Sequence, residues 1–215
     1  ASETIGERVT TTLKAMPNRS AEVLKQDFVG PIMGEQIRKD GIKAIILGLL
    51  AVFIYVTIRF EFRFALGAIA ALVHDTIIAG GLFVLLGGQL SSAVVAALLT
   101  IIGYSVNDTI VIYDRVRENM LNERKSGGVS KGKSHYTDFI ALVNASLNQT
   151  LSRTVLTSFS TLLLVTVLFV KGGGVIHDIA QVLLIGMVAG VYSTVFIASP
   201  VVIAMGKEAP KLRGA

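Results

Sequence analysis

The sequence lacks cysteine entirely and contains only three histidines. Without thiols, the chain can form neither disulfides nor thiolate metal sites. The histidines are spaced in a way that fits no metal-ligand pattern. Signatures of nucleotide-binding loops, serine hydrolases and zinc peptidases are missing as well. These absences predict a protein that is not an enzyme and that binds no cofactor and no metal ion.

Charged residues are also scarce. They make up 16% of the sequence, whereas soluble domains carry about 25%, and hydrophobic residues make up 52%. This balance predicts a membrane protein. The net charge of +5 does not require a nucleic-acid partner, because the basic residues lie mostly at the ends of apolar segments, as they do in membrane proteins.

Five apolar segments are candidates for membrane spans, each of which takes about 20 residues. The fourth approaches a spanning length only when it begins at Leu151, and the fifth is long enough to tilt or to contain a break. The sequence therefore predicts an all-α polytopic membrane bundle over residues 41–206. The five segments cover residues 42–58, 64–86, 92–113, 151–170 and 175–205.

Lysine and arginine are concentrated in one set of connections, and this predicts the orientation of the chain. They occur at 59–63, in the long connection 114–150 and in the tail 207–215, while the opposite connections 87–91 and 171–174 carry almost none. Because cytoplasmic loops are enriched in basic residues, we predict that the three basic regions are cytoplasmic. The amino-terminal forty residues would then lie on the outer side of the membrane, which in a bacterium means periplasmic or extracellular.

The amino-terminal residues 1–40 are typical of the end of a soluble domain. Apolar residues recur at helical spacing over residues 2–17, and residues 21–29 fit a strand that ends at Gly30 and Pro31. We interpret this region as the remnant of a periplasmic α+β domain. We therefore expect the chain to be a fragment of a longer polypeptide.

The long connection 114–150 has a flexible basic middle and an amphipathic end. Phe139, Leu142 and Leu147 fall near one face of a helix over Thr137–Leu151. Such a helix either lies at the cytoplasmic surface of the membrane or packs its apolar face into the protein core. The sequence leaves both alternatives open.

Asp108 is the residue that points most strongly to ion chemistry. It lies inside the third apolar segment, about 8 Å to the cytoplasmic side of the centre at 1.5 Å per residue. A carboxylate inside a membrane is costly, so it either has a partner or takes up a proton. Tyr104 shares its face one turn earlier, and Ser105, Asn107 and Thr109 add polarity nearby. We predict an ion-pathway role for Asp108; a static acid that holds helices together is the alternative.

Two further charged residues lie within the apolar segments. Asp75, near the middle of the second segment, is either a second relay site or a structural acid whose partner is His74 or Thr76. Arg153 opens the fourth segment. It either extends outward to the cytoplasmic face or reaches inward to pair with Asp108, and spacing alone favours the outward position. If the pair forms, proton uptake by Asp108 would break it.

Four stretches of the sequence are similar to the SecF family. The resemblance extends from about Val29 to Pro200, and its most specific part is Gly103–Asn119. SecF is the smaller partner of SecD in the bacterial Sec protein-export machinery. The four stretches are Val29–Gly34, Val73–Asp75, Gly103–Asn119 and Leu151–Thr154.

The resemblance implies a fold, partners and site residues. The family has six transmembrane helices with a periplasmic domain after the first, and it is related to the resistance-nodulation-division transporters. This chain has five candidate spans and a remnant of that domain, as expected for a trimmed SecF or for the tail of a fused SecDF. The membrane acid and arginine of the family fall on Asp108 and Arg153.

The resemblance also implies a function. SecD and SecF together use the proton-motive force to assist preprotein translocation, so the expected partners are SecD, the SecYEG translocon, the exported preprotein and membrane lipids. Two other functions remain open. One is a proton-coupled small-molecule exporter subunit of the same superfamily, and the other is a non-transporting scaffold of the translocon. The sequence does not distinguish proton coupling from sodium coupling.

Overall fold

The computed structural model describes residues 11–12, 31–125 and 135–205. Over these ranges the chain is helical almost throughout and contains no strand. The predicted all-α membrane bundle is therefore confirmed.

The backbone forms two compact units, Ala1–Gln36 and Ile37–Ala215. The predicted periplasmic remnant runs to residue 40, four residues beyond the end of the first unit, and its periplasmic location stays a prediction. Within its predicted helix 2–17, Thr11 and Thr12 are helical, and the rest of that helix lies outside the described residues. The strand predicted over 21–29 also lies outside them.

The described part of the chain consists of successive helices joined by short connections. Five stretches are long and apolar enough to cross a membrane by length and composition, in the number that the sequence predicts. The elements are α1 (Pro31–Arg59), α2 (Phe62–Leu85), α3 (Ser92–Lys125), α4 (His135–Lys171), α5 (Val175–Ser193), a π-turn (Thr194–Ala198) and α6 (Ser199–Met205).

Helices α3 and α4 both extend well beyond the apolar segments that predicted them. Helix α3 continues to Lys125, and α4 already begins at His135. The predicted connection 114–150 is therefore mostly helical, and the amphipathic helix 137–151 is continuous with the fourth span. No proline or glycine interrupts the sequence between His135 and Lys171, so nothing there ends the helix.

The end of the bundle where α3 joins α4, called the basic end below, has an aromatic core. Phe60, Phe64 and Tyr113 are buried, and their ring centroids lie 4.9 to 6.1 Å apart. Such tilted and edge-to-face contacts are the favoured geometry for aromatic rings. This core fixes the start of α2 against the middle of α3.

The amphipathic part of α4 packs into the same core. Phe139, Leu142 and Val143 are buried together with Val116 and Met120 on the extension of α3. Of the two alternatives for this segment, the structure has the core-facing one. The apolar face that the sequence reveals is covered by α3 rather than by lipid.

Small residues let α5 approach α3 closely in the middle of the bundle. Any side chain on Gly186 would overlap Ile101, and a methyl group on Gly190 would stand 3.4 Å from Ser105 and 3.6 Å from Asp75. Close approach through such small residues is the usual way in which membrane helices pack. It also brings polar side chains on α2, α3 and α5 within hydrogen-bond distance.

Candidate functional site

Asp75 lies at the junction of α2, α3 and α5 and is completely buried, with 0% of its surface exposed. Its Oδ2 accepts hydrogen bonds from Ser105 Oγ at 2.6 Å and Ser193 Oγ at 2.8 Å. Its Oδ1 is 3.0 Å from Nδ1 of His74. A carboxylate with three partners from its own protein needs no water and no lipid headgroup to stay in the bundle.

The hydrogen bonds of Asp75 extend into a wider set that we call the hydroxyl network, made of Asp75, Ser105, Thr109, Ser193 and Thr194. Thr109 Oγ1 donates to the carbonyl of Ser105 at 3.2 Å and is 3.3 Å from Thr194 Oγ1. Every member is buried. The network therefore ties α2 and α3 to the start of the π-turn without a charged counter-residue inside it.

Asp108 lies on a face of α3 different from the one that carries Ser105, and it has fewer hydrogen-bond partners than Asp75. It is 5% exposed, and its Oδ2 accepts a hydrogen bond of 3.2 Å from Ser158 Oγ on α4. Among the described residues, Ser158 is the one side chain that bonds to this carboxyl group. Asp108 is thus a buried carboxyl group with a single neutral partner among the described residues, and its part in an ion pathway stays a prediction.

Arg153 is not next to Asp108. Across residues 34–123 and 139–205, no nitrogen of Arg153 comes within 4.0 Å of the Asp108 carboxylate, and Arg153 is exposed beside Val155 and Leu156. The predicted direct pair is therefore absent from this arrangement. The reason is helical geometry: five residues separate Arg153 from Ser158, which turns the two side chains about 140° apart.

The other predicted polar residues divide between the two sites. His74 contacts Asp75, whereas Thr76 donates to its own helix at the carbonyl of Leu72. Tyr104 faces α4, as Asp108 does, and packs against the cluster around Val165. The sequence interpretation assigned Ser105 to the neighbourhood of Asp108, and this assignment is wrong, because Ser105 donates to Asp75.

Comparison with known proteins assigns the chain to a family. The family described as "Protein export membrane protein SecD/SecF, C-terminal" matches residues 8–208. The chain belongs to this SecD/SecF family. Together with the five apolar helices, this makes it a multi-pass membrane protein.

Relatives within the SecD/SecF family include separate and fused proteins. The protein translocase subunit SecF of Rhodothermus marinus is 43% identical over 95% of this chain, which spans 65% of that relative. The protein translocase subunit SecDF of Thermus thermophilus is 41% identical over 86% of this chain, which spans 24% of that relative. The chain thus matches part of each relative, and in the second the matching part belongs to a much longer polypeptide.

A solved structure in the family has the same fold. The crystal structure of SecDF, a translocon-associated membrane protein from Thermus thermophilus, superimposes with a TM-score of 0.79 at 38% identity. The match covers 96% of this chain and 27% of that protein.

Three residues at the two sites were not predicted from the sequence: Ser158, Ser193 and Thr194. Each carries a hydroxyl group inside an apolar segment, where hydroxyls usually bond to the preceding turn of their own helix. Thr194 does so at the carbonyl of Gly190, and Ser193 bonds to the same carbonyl and to Asp75 on α2. Ser158 instead donates to Asp108 on α3. The sequence does contain one signal for them, because Ser193 and Thr194 lie three and four residues after the close-packing Gly190 and so on the same side of the helix.

Helix α3 also exposes a stripe of small and polar residues, here called the α3 stripe: Ala96, Thr100, Gly103 and Asn107. All four are exposed, although α3 packs against α2, α4 and α5 on its other faces. Their spacing of four, three and four residues puts them on one side of the helix. An amide facing lipid is costly, so this stripe is better suited to a neighbouring helix than to acyl chains.

Proposed function

We propose that the chain is the SecF-type part of a SecDF complex in the bacterial inner membrane, where it uses the proton-motive force to assist preprotein translocation through SecYEG. The family and the names of its relatives support a role in protein translocation. The observation that carries the energetic part is Asp108. It is a carboxyl group buried in the central membrane helix with one hydroxyl partner.

The sparse surroundings of Asp108 suit a group that changes protonation. An ionised carboxylate inside a membrane needs strong partners, whereas the neutral acid can be held by a single hydroxyl. The observed arrangement, with Ser158 on Asp108 and Arg153 turned outward, therefore suits the neutral form. After Asp108 releases its proton, a rotation of α4 would replace Ser158 by Arg153 and provide the cation that the carboxylate requires.

This exchange gives a cycle in which Asp108 takes up a proton from one side of the membrane and loses it to the other. Each change of charge alternates the partner of Asp108 between Ser158 and Arg153. Because both partners are on α4, the chemical change becomes a movement of one helix against α3. We propose that this movement is passed to the periplasmic part of the complex.

The basic end is proposed to face the cytoplasm. Arg59, Arg63 and Arg115 lie at this end, and basic residues favour the cytoplasmic side. The amino-terminal unit would then be periplasmic, where an exported chain emerges.

SecD is the proposed partner, and the α3 stripe is its proposed docking surface. In the fused relative, the matching part is joined to a longer SecDF polypeptide. Replacing Asn107 by Leu should weaken co-purification with SecD in mild detergent, because the amide loses its partner across the interface. Leu156→Ala, on the exposed face of α4, is the matched control and should leave association unchanged. Equal association of Asn107→Leu and the native chain would contradict this docking surface.

The test of the proton step is export into membrane vesicles that contain the full-length complex with Asp108→Asn. Gradient-dependent export should fall to the level seen without a gradient, because asparagine cannot exchange a proton. Asp178→Asn, at the start of α5, is the matched control and should retain export. Collapsing the proton and sodium gradients separately identifies the coupling ion. Unchanged export by an Asp108→Asn complex of normal assembly would instead favour the scaffold.

A further inference from the structure

The fifth span is not one regular helix. Helix α5 gives way to the π-turn Thr194–Ala198 before α6 continues to Met205. In a regular α-helix the nitrogen of Pro200 would have to donate to the carbonyl of Phe196. Proline has no hydrogen there, and its ring would collide with that carbonyl. The wider turn before Pro200 relieves both problems, and π-turns of this kind recur at functional sites.

The start of the π-turn is held by the hydroxyl network. Ser193 Oγ lies 2.8 Å from Asp75 Oδ2 and 3.1 Å from the carbonyl of Gly190. Thr194 Oγ1 lies 2.8 Å from the same Gly190 carbonyl and 3.3 Å from Thr109 Oγ1. Each hydroxyl thus has one neighbour on its own helix and one on another helix. It can release the interhelical contact without becoming unpaired.

The end of the π-turn lies beside an unused donor. The hydroxyl of Tyr113 is buried, and no hydrogen-bond partner for it exists among the described residues. A methyl group added to Gly67 would stand 2.5 Å from this hydroxyl and 2.8 Å from the carbonyl oxygen of Ala198. The donor and the last carbonyl of the turn are therefore close neighbours that do not bond in this arrangement. Buried hydroxyls without partners are rare enough to require a reason.

We propose that the π-turn is a hinge with two hydrogen-bonded arrangements. In the arrangement described, Ser193 donates to Asp75 and Thr194 is paired with Thr109. The Tyr113 hydroxyl has no hydrogen-bond partner among the described residues. In the other, the turn shifts, Ser193 releases Asp75 and keeps the Gly190 carbonyl, and Tyr113 donates to the carbonyl of Ala198. The hydrogen bonds exchange rather than disappear, so neither arrangement leaves the network without partners.

The hinge would move α6 relative to α5. Ala198 and Val202 are part of the core of the basic end, whereas Gly186 and Gly190 anchor α5 against α3 in the middle of the bundle. A shift at the π-turn therefore repacks the basic end while the middle of the bundle stays in place. The hinge itself does not depend on the proposed export function, but its coupling to the Asp108 cycle does.

The test measures distances between two pairs of spin labels in the full-length complex in lipid nanodiscs. The labels are attached to introduced cysteines, because this chain has no cysteine of its own. The reporter pair, Ile77 with Met205, crosses the hinge, and the reference pair, Ile77 with Val188, does not. All three sites are exposed. We expect two distance populations for the reporter pair and one for the reference pair. Pro200→Ala restores the missing donor and should leave a single reporter population.

Two hydroxyl deletions should shift the populations in opposite directions. Tyr113→Phe removes a bond of the second arrangement and should favour the first about fivefold, and Ser193→Ala should favour the second by a similar factor. Ser160→Ala is the matched control, because Ser160 is exposed and donates to the carbonyl of Leu156 on its own helix.

A single reporter distance in the native complex, or equal shifts in Tyr113→Phe and Ser160→Ala, would overturn the hinge. These distances are measured without a gradient. A loss of gradient-driven export without a change in them therefore bears on the proposed function and not on the hinge.

Discussion

Asp75 and Asp108 are two acids in one membrane bundle with opposite surroundings. Asp75 is fully buried and receives partners from three helices, while Asp108 receives one hydroxyl from α4. Asp75 keeps His74 and Ser105 even when Ser193 is released, whereas Asp108 is left without a partner among the described residues when Ser158 is released and must find a new one to hold a charge. The comparison favours the structural alternative for Asp75 and the relay for Asp108, although both were candidates for the relay in the sequence.

The largest expected effect on stability comes from removing Asp75. Asp75→Ala should lower the free energy of unfolding by about 2–3 kcal/mol, because three contacts to a buried carboxyl group are lost and two buried hydroxyls lose an acceptor. Denaturant titration in mixed micelles measures this value. If Asp75→Ala lost less free energy of unfolding than Asp108→Ala, Asp108 rather than Asp75 would be the structural acid.

The next largest loss of stability is expected when a hydroxyl group that donates to Asp75 is removed. Ser105→Ala and Ser193→Ala should each cost about 1–2 kcal/mol. The double variant should cost less than the two separate losses together, because both hydroxyls bond to the same Oδ2. A double-mutant cycle of unfolding free energies gives the coupling. Strict additivity would mean that the two serines do not share Asp75.

Removing Asp108 should have a smaller effect on stability and a larger one on function. Asp108→Ala should change the free energy of unfolding by less than about 1 kcal/mol, since one neutral hydrogen bond is lost. Export driven by the gradient should nevertheless disappear. Measuring both properties on one preparation separates the two roles. A variant that unfolds more easily than Asp75→Ala would show that Asp108 is the structural acid.

The smallest effect is expected for Ser158. Its bond to Asp108 is 3.2 Å long, so Ser158→Ala should cost about 0.5 kcal/mol. Export should slow without stopping, because Arg153 remains available for the ionised state. The ratio of export rates with and without a gradient measures this effect, with Ser160→Ala as the control. Complete loss of export would assign Ser158 a direct part in proton transfer.

The sequence predicted the class of fold and the positions of the buried acids. Apolar length predicted five spans, and the cost of charge in lipid singled out Asp75 and Asp108. Residue spacing did not reveal which helix faces each acid. Ser105 lies closer to Asp108 than to Asp75 in sequence, yet it bonds to Asp75 because it lies on the face of α3 that packs against α2 and α5.

Arg153 is a second residue whose orientation could not be predicted from residue spacing. The resemblance to SecF placed Arg153 with Asp108, and spacing alone favoured an outward position. In the structure, Thr154 and Ser158 occupy the inner face of α4, so Arg153 is on the outer face. The rotation of α4 about its axis determines this arrangement. That rotation depends on the packing of several helices rather than on the local sequence.

The sequence by itself determined the number of spans and the position of each acid within its span. Pro200 also required an irregular turn in the fifth span, for which the sequence analysis had left a tilt or a break open. These properties follow from apolar length, from the cost of burying charge and from the missing hydrogen of proline, all of which are local. The tertiary structure alone decided which hydroxyl reaches which carboxylate. Hydrogen bonds between helices depend on distances of a few tenths of an ångström, and these distances are fixed where Gly186 and Gly190 bring α5 against α3.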